Sequence, residues 1–154
     1  MTDTPVELYR SVRKDDFPDG PIVDDHAVAG VLYPSFEDKV IERVQKGRIV
    51  RNTRPADVYP YLHDGESVVD PGGGTSLFDR SETFGTTHWW YFRIPKGTDV
   101  PASLRVRFTG RNDRFNADHY QIEAATQRMR VDAFKGALDN FARNAVRKLY
   151  EDAH

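Results

Sequence analysis

The chain contains no cysteine, which excludes disulfides, a thiolate nucleophile and zinc sites built on sulfur, and leaves the redox compartment undetermined. It also lacks any apolar run approaching the roughly 20 residues that a membrane-spanning helix needs, so no membrane-embedded mode of action is expected. Met1 to Glu7 carries acids and a proline instead of a basic stretch leading into an apolar one. No cleavable secretory signal is read there, and the expected compartment is the cytoplasm, with export by a signal-independent machine left open. Neither sign of charge dominates: the formal net charge is -2 with 30% charged residues. The molecule as a whole is therefore not directed toward nucleic acid or anionic membranes, and partner choice rests with local sites. The five histidines show no pairing at metal-ligand spacing, so no metal site is expected. No P-loop and no Gly-x-Gly-x-x-Gly dinucleotide fingerprint is present.

What is present is enough for one core. A chain of 154 residues, 38% hydrophobic and 12% aromatic, suits a single domain over 1–154. Val6 to Val12 reads as an opening strand carrying Arg10, and 15–21 as loop. Ser35-Phe36-Glu37-Asp38 has the form of a capping box, with Phe36, Val40 and Val44 at helical spacing and Gly47 as a stop, which predicts a short helix. From Arg51 to Gly74 prolines, glycines and aspartates are frequent, which predicts irregular structure covering a site. His88 to Ile94, Leu104 to Phe108 and His119 to Ala124 read as three strands. Val131, Phe134, Leu138, Phe141, Ala145 and Leu149 recur every three or four residues, which predicts a long amphipathic helix that packs on the sheet.

The chemistry-bearing candidates lie in three places. In Pro71-Gly72-Gly73-Gly74-Thr75-Ser76 the glycines expose main chain just where two hydroxyls arrive, so a ligand could lie against the backbone and be held by Thr75 and Ser76. The ordinary alternative is a tight turn before a strand. Arg10 could hold phosphates and Glu123 could stabilise positive charge in a sugar ring, and together these point to chemistry on a nucleotide sugar. A surface arginine and a solvent-facing strand glutamate are the plain readings of the same two residues. Alternation places Gln121 and Glu123 on one face, opposite Tyr120 and Ile122. Trp89, Trp90 and Tyr91 read mainly as packing. Arg105, Arg107, Arg111 and Arg114 give a weaker nucleic-acid reading, and nucleic acid is not the expected partner.

Four blocks in the same order, Gly73 to Arg80, Ile94 to Pro101, His119-Tyr120-Gln121-Ile122 and Leu138 to Arg147, resemble the growth-arresting Tse-family effector toxins of bacterial type VI secretion. Leu8-Tyr9-Arg10 and Leu32 to Phe36 match earlier in the chain. The resemblance implies an α+β fold: an ADP-ribosyltransferase-like split antiparallel sheet with flanking helices and a long C-terminal helix. It implies an antibacterial toxin acting in the cytoplasm of the intoxicated cell, with a cognate immunity protein covering the active-site cleft. NAD would be the substrate, and ADP-ribose would pass to an unknown acceptor. Thr75, Ser76, His119 and Glu123 would be the catalytic set; Tyr9, Arg10, Gly74, Thr75, Ser76 and Tyr120 would bind NAD. The alternative is a non-catalytic toxin that uses the same cleft to sequester a nucleotide or block a macromolecule.

Overall fold

The computed structural model describes residues 2–154. In chain order the strands are β1 (Thr2–Asp3), β2 (Leu8–Arg13), β3 (Ile22–Val23), β4 (His26–Ala27), β5 (Lys39–Gln45), β6 (Arg48–Arg54), β7 (Tyr61–His63), β8 (Glu66–Val69), β9 (Thr75–Phe78), β10 (Trp89–Ile94), β11 (Asp99–Val100), β12 (Leu104–Asn112), β13 (Ala117–Ala124) and β14 (Met129–Arg130), and the helix α1 (Val131–Ala153) closes the fold. Among the described residues, strands and a single helix make this an α+β architecture, without the further flanking helices that were expected.

The central sheet has five antiparallel strands in the order β10-β2-β9-β13-β12. It is split in the middle. β2 pairs with β10 from Leu8↔Ile94 to Arg13↔Trp89, and β9 pairs with β13 from Thr75↔Ile122 to Phe78↔His119. Between β2 and β9 only Tyr9↔Phe78 pairs, so the two halves of the sheet part beyond that point and leave a gap bordered by main chain.

One face of the sheet is apolar because alternate residues of every strand point the same way. Leu8, Leu77, Phe92, Ile94, Leu104 and Ile122 are buried there. They meet the stripe of α1 formed by Phe134, Leu138, Phe141 and Ala145, whose three-to-four-residue spacing gives one face of a helix. Each large side chain so buried contributes about 1.5–3 kcal/mol. Ala137, Ala142 and Ala145 keep that face of the helix narrow, so it can sit close to the sheet.

One expectation is corrected and one is refined. The capping-box segment is not a helix: Lys39–Gln45 is a strand, paired over its whole length with Arg48–Arg54. The region from 51 to 74 is more than half irregular, as expected, and it also carries the end of β6 together with β7 and β8. Both segments form hairpins whose two-residue turns, Lys46-Gly47 and Asp64-Gly65, have positive φ at each position (53° and 76°; 51° and 79°). That geometry matches the twist of antiparallel strands. The layer beside the sheet is thus built of hairpins where a short helix was expected.

Candidate functional site

The gap between β2 and β9 opens into a cavity of about 330 Å³, within the usual size range for small-molecule sites. Arg10, Ser76, Tyr33, Phe84 and Trp89 are among the residues that line it. Arg10 spans the gap. Its Nη1 donates to the Ser76 carbonyl at 3.3 Å and its Nη2 to the Tyr33 carbonyl at 2.9 Å, while its Nε is buried without a partner. Burial pulls the guanidinium pKa down to about 10 and Arg54 adds to the effect, while Asp57 opposes it; the group remains a cation at neutral pH.

The loop that supplies the Tyr33 carbonyl is anchored from below. Asp139 on α1 accepts from the Tyr33 hydroxyl at 2.7 Å and from the Gly30 N–H at 3.0 Å. Burial and this carboxylate push the Tyr33 hydroxyl up to about 12, so it stays a donor. A carboxylate in the middle of a helix thereby sets the position of an arginine on the far side of the core.

Ser76 turns its hydroxyl to the outer face of the sheet, where Oγ is hydrogen-bonded to His119 Nε2. His119 Nδ1 is bonded to Thr109 Oγ1, and that same hydroxyl donates to the His119 carbonyl at 3.1 Å. A hydroxyl has one proton. With it committed to the carbonyl, Thr109 accepts from Nδ1–H, which leaves Nε2 as an acceptor for the Ser76 proton. Thr109 is where it is because the register of β12 against β13 shifts between Phe108 and Gly110, a bulge of the kind that redirects a side chain. Burial lowers the His119 pKa, with Asp57 opposing, so the imidazole is neutral at physiological pH.

The other expected residues fall around this line rather than on it. Thr75 is completely buried on the core face and donates to the Leu32 carbonyl at 2.5 Å, so it holds the loop before Tyr33 and does not border the cavity. Gly74 is required by close packing: a Cβ there would overlap the Ile122 carbonyl, and one on Gly73 would lie 2.8 Å from the Asp57 carbonyl. Tyr9 forms the single pair that closes the split. Tyr120 packs edge-on against Phe108 with ring centres 5.4 Å apart. Of the aromatic block, Trp89 borders the cavity, whereas Trp90 donates its indole N–H to the Phe17 carbonyl at 2.8 Å.

Glu123 shares a face with Gln121 as the alternation predicted, yet its carboxylate is fully enclosed. It accepts from Arg105 at 2.5 Å, Arg107 at 3.0 and 3.3 Å, Gln121 at 2.7 Å and the Gly72 N–H at 3.2 Å. Burial alone would raise its pKa, but the hydrogen bonds from Arg107, Gln121 and Arg105 outweigh that and hold it below the usual value. Neither Glu123 nor His119 is among the residues that border the cavity; of the expected catalytic set only Ser76 is. The same contacts occupy two of the four arginines in the nucleic-acid reading, and Arg111 pairs with Asp118 at 3.3 Å.

Three residues of this arrangement were not singled out for it from the sequence. Thr109 precedes a glycine inside a strand pattern, which is a bulge signal. Asp139 interrupts the apolar stripe between Leu138 and Phe141. Tyr33 acts through its main-chain carbonyl, for which a sequence holds no signal. Among the described residues no His, Cys, Asp or Glu cluster is placed to hold a metal ion, and no helix is long and apolar enough to cross a membrane.

Comparison with known proteins gives two matches. The family model described as Tse2 ADP-ribosyltransferase toxin matches residues 3–150. The toxin Tse2 of Pseudomonas aeruginosa is 34% identical, over 97% of this chain and 94% of that relative.

Proposed function

The chain belongs to the Tse2 ADP-ribosyltransferase toxin family, and from that premise we propose that it is a single-domain antibacterial toxin that uses NAD as substrate and transfers ADP-ribose to a cytoplasmic acceptor. The observation that carries the reading is the juxtaposition of Arg10 with the Ser76–His119–Thr109 chain at the split of the sheet. The residues suit a dinucleotide: the Arg10 guanidinium borders the cavity and can attract phosphate, and Trp89 and Phe84, 5.2 Å apart and tilted by 37°, offer ring surfaces to a base.

In the proposed reaction the bond between the ribose C1′ and nicotinamide breaks, with its electron pair leaving on nicotinamide. The acceptor's nucleophilic atom forms the new bond to C1′ and loses its proton. Ser76, which borders the cavity, relays that proton to Nε2 of neutral His119 behind it, and Thr109 keeps the ring in the tautomer that can accept it. Arg10 fixes the phosphates, and Thr75 holds the loop that orients Arg10. Glu123 acts as a brace that ties β12 and β13 to the glycine run, since its four donors leave it no access to the cavity.

That last feature favours a second reading, a toxin that binds a nucleotide without turning it over, because the outer carboxylate expected to stabilise a sugar cation is engaged elsewhere. Transfer of labelled ADP-ribose from NAD in bacterial lysate, with nicotinamide release measured in parallel, separates the two. Release lost in a Ser76→Ala variant supports the enzyme; no release by the unaltered protein supports the binding toxin. A signal-independent delivery route and an immunity protein that covers the cleft belong to the same proposal, supported by family membership.

A further inference from the structure

The hairpin β5–β6 concentrates positive charge: Lys39, Arg43, Lys46, Arg48, Arg51 and Arg54 are opposed only by Glu42. The nearby acids have partners of their own, although Asp57 still stabilises the Arg10 charge and borders the cavity with Asp16. Glu42 pairs with Arg51 at 2.7 Å, Asp38 accepts from the Tyr59 hydroxyl at 2.5 Å and the Ala56 N–H at 2.9 Å, and Asp57 accepts from the Ser35 N–H at 2.8 Å. At the root of the hairpin Lys39 and Arg54 face each other in register, and both border the cavity beside Arg10. Neither makes an ion pair with an acid among the described residues.

Four cations, Arg10, Arg13, Lys39 and Arg54, border the cavity against two carboxylates, Asp16 and Asp57, and Arg10 sits there at a desolvation cost that Asp57 partly offsets and Arg54 adds to. Positive charge exceeds negative in the lining, which suits an anionic ligand. Arg10 borders the cavity on one side, and the opposed Lys39 and Arg54 offer a second grip. One phosphate cannot use both sides as fully as two linked phosphates can, because the donors come from two separate elements.

We infer that Lys39 and Arg54 complete, with Arg10, a three-cation site for a diphosphate, so that the hairpin root forms the second jaw of the phosphate grip. The identity of the diphosphate as part of a dinucleotide rests on the NAD reading above; the site itself does not. The remaining hairpin residues, including Arg43 on the same face as Lys39 and Arg54, stand outside the cavity.

Calorimetric titration of the full chain with inorganic pyrophosphate tests this. The unaltered protein is expected to bind saturably at one site. Arg54→Gln and Lys39→Gln should each weaken binding about tenfold, the loss expected for one charge-assisted hydrogen bond, and Arg43→Gln should leave it within about twofold. Absence of saturable binding at millimolar pyrophosphate overturns the site, and so does an Arg43→Gln loss equal to that of Arg54→Gln, which would show a diffuse charge effect. Both cavity variants are changes of partly exposed side chains, and a thermal melt of each confirms that the fold is kept; should one unfold, the other carries the test. Nicotinamide release is read on the same samples. Pyrophosphate binding with this pattern but no release leaves the grip standing and removes ADP-ribosyl transfer, whereas release with pyrophosphate binding indifferent to Lys39 and Arg54 removes the grip alone.

Discussion

Thr109 accepts the Nδ1–H of His119 because its own proton is given to the His119 carbonyl, and the two residues meet only where β12 bulges. The tautomer of the imidazole is thereby set by one hydroxyl, and the direction of the Ser76–His119 hydrogen bond follows from it. Ser76→Ala and His119→Gln are expected to lower nicotinamide release by about 10²-fold or more, the usual range for loss of a general base. Thr109→Val should lower it by roughly tenfold while costing only about 1 kcal/mol of stability, one hydrogen bond. Rate measurements beside thermal melts check this, and an undiminished rate in Thr109→Val would show that the ring needs no partner at Nδ1.

The pH dependence has a definite sign. His119 has its pKa lowered from 6.5 by burial, against the opposing influence of Asp57. In the unfolded chain the same ring takes up its proton nearer 6.5, so below that pH the unfolded state binds more protons and stability falls as pH drops. The neutral base persists below 6.5 for the same reason. A rate profile for nicotinamide release should therefore have its acid limb under 6.5, and the limb should vanish in His119→Gln. A midpoint above 6.5 would mean that a partner stabilises the imidazolium instead.

Asp139 acts on the cleft from the opposite side of the core. Asp139→Ala removes the acceptor of both the Tyr33 hydroxyl and the Gly30 N–H, which should cost about 1–3 kcal/mol. The loop whose carbonyl holds Arg10 is then loosened, so pyrophosphate affinity should fall as well. Tyr33→Phe breaks only the hydroxyl bond and should weaken both properties less. Equal pyrophosphate affinity in Asp139→Ala and the unaltered chain would show that the loop is held without it.

The parts of the fold that were legible in the sequence are those where one period fits and another does not. Phe134, Leu138, Phe141 and Ala145 have no reading as a strand, and α1 lies where they place it. Val40 and Val44 are different, because a spacing of four is close to one helical turn and is also even, so it satisfies a strand equally well. Ser35 and Asp38 completed the likeness of a capped helix, but their side chains serve a turn: Ser35 Oγ donates to the Glu37 carbonyl at 2.8 Å, and Asp38 takes Tyr59 and Ala56. At the site, Arg10, Ser76 and His119 were legible as residue types; Arg10 bonds the Ser76 carbonyl and the Ser76 hydroxyl bonds His119, which itself does not border the cavity. The glycine run was legible as a place of close approach, but what approaches Gly74 is the main chain of β13, a long-range contact that no local pattern encodes.

That contact makes Gly74 a sharp test of packing. The obstruction to a methyl group is a strand carbonyl, which cannot move aside as a flexible side chain would. Gly74→Ala should cost about 4 kcal/mol or more, in the range reserved for severe core defects. Gly72→Ala meets no atom but has φ of 106°, so strain alone should cost of order 1–3 kcal/mol. Denaturant unfolding of both variants orders them, and a mild Gly74→Ala would place the ligand role of the glycines back in contention.

Glu123 separates a brace from a catalyst. Glu123→Ala leaves the Gly72 N–H and the Gln121 amide without their acceptor, whereas Arg105 and Arg107, whose side chains are 47% and 43% exposed, can turn to water. Breaking a buried ion pair costs about 3–5 kcal/mol, and the exposure of the arginines reduces this to roughly 2–3 kcal/mol. For a chain of this size that lowers the melting temperature by roughly 5–10 °C. Glu123→Gln keeps the shape and should cost less. The acid response follows from the carboxyl's lowered pKa: hydrogen bonds from Arg107, Gln121 and Arg105 overcome the effect of burial, so the stability they give is present above the ordinary value of 4.5 and is lost as pH falls below it. That acid-sensitive increment should be missing in Glu123→Gln. Nicotinamide release by Glu123→Gln, measured well below its melting temperature, should stay within a fewfold of the unaltered protein. Release abolished at unchanged stability would instead make Glu123 the catalytic carboxylate, reached through a rearrangement that frees it from Arg105 and Arg107.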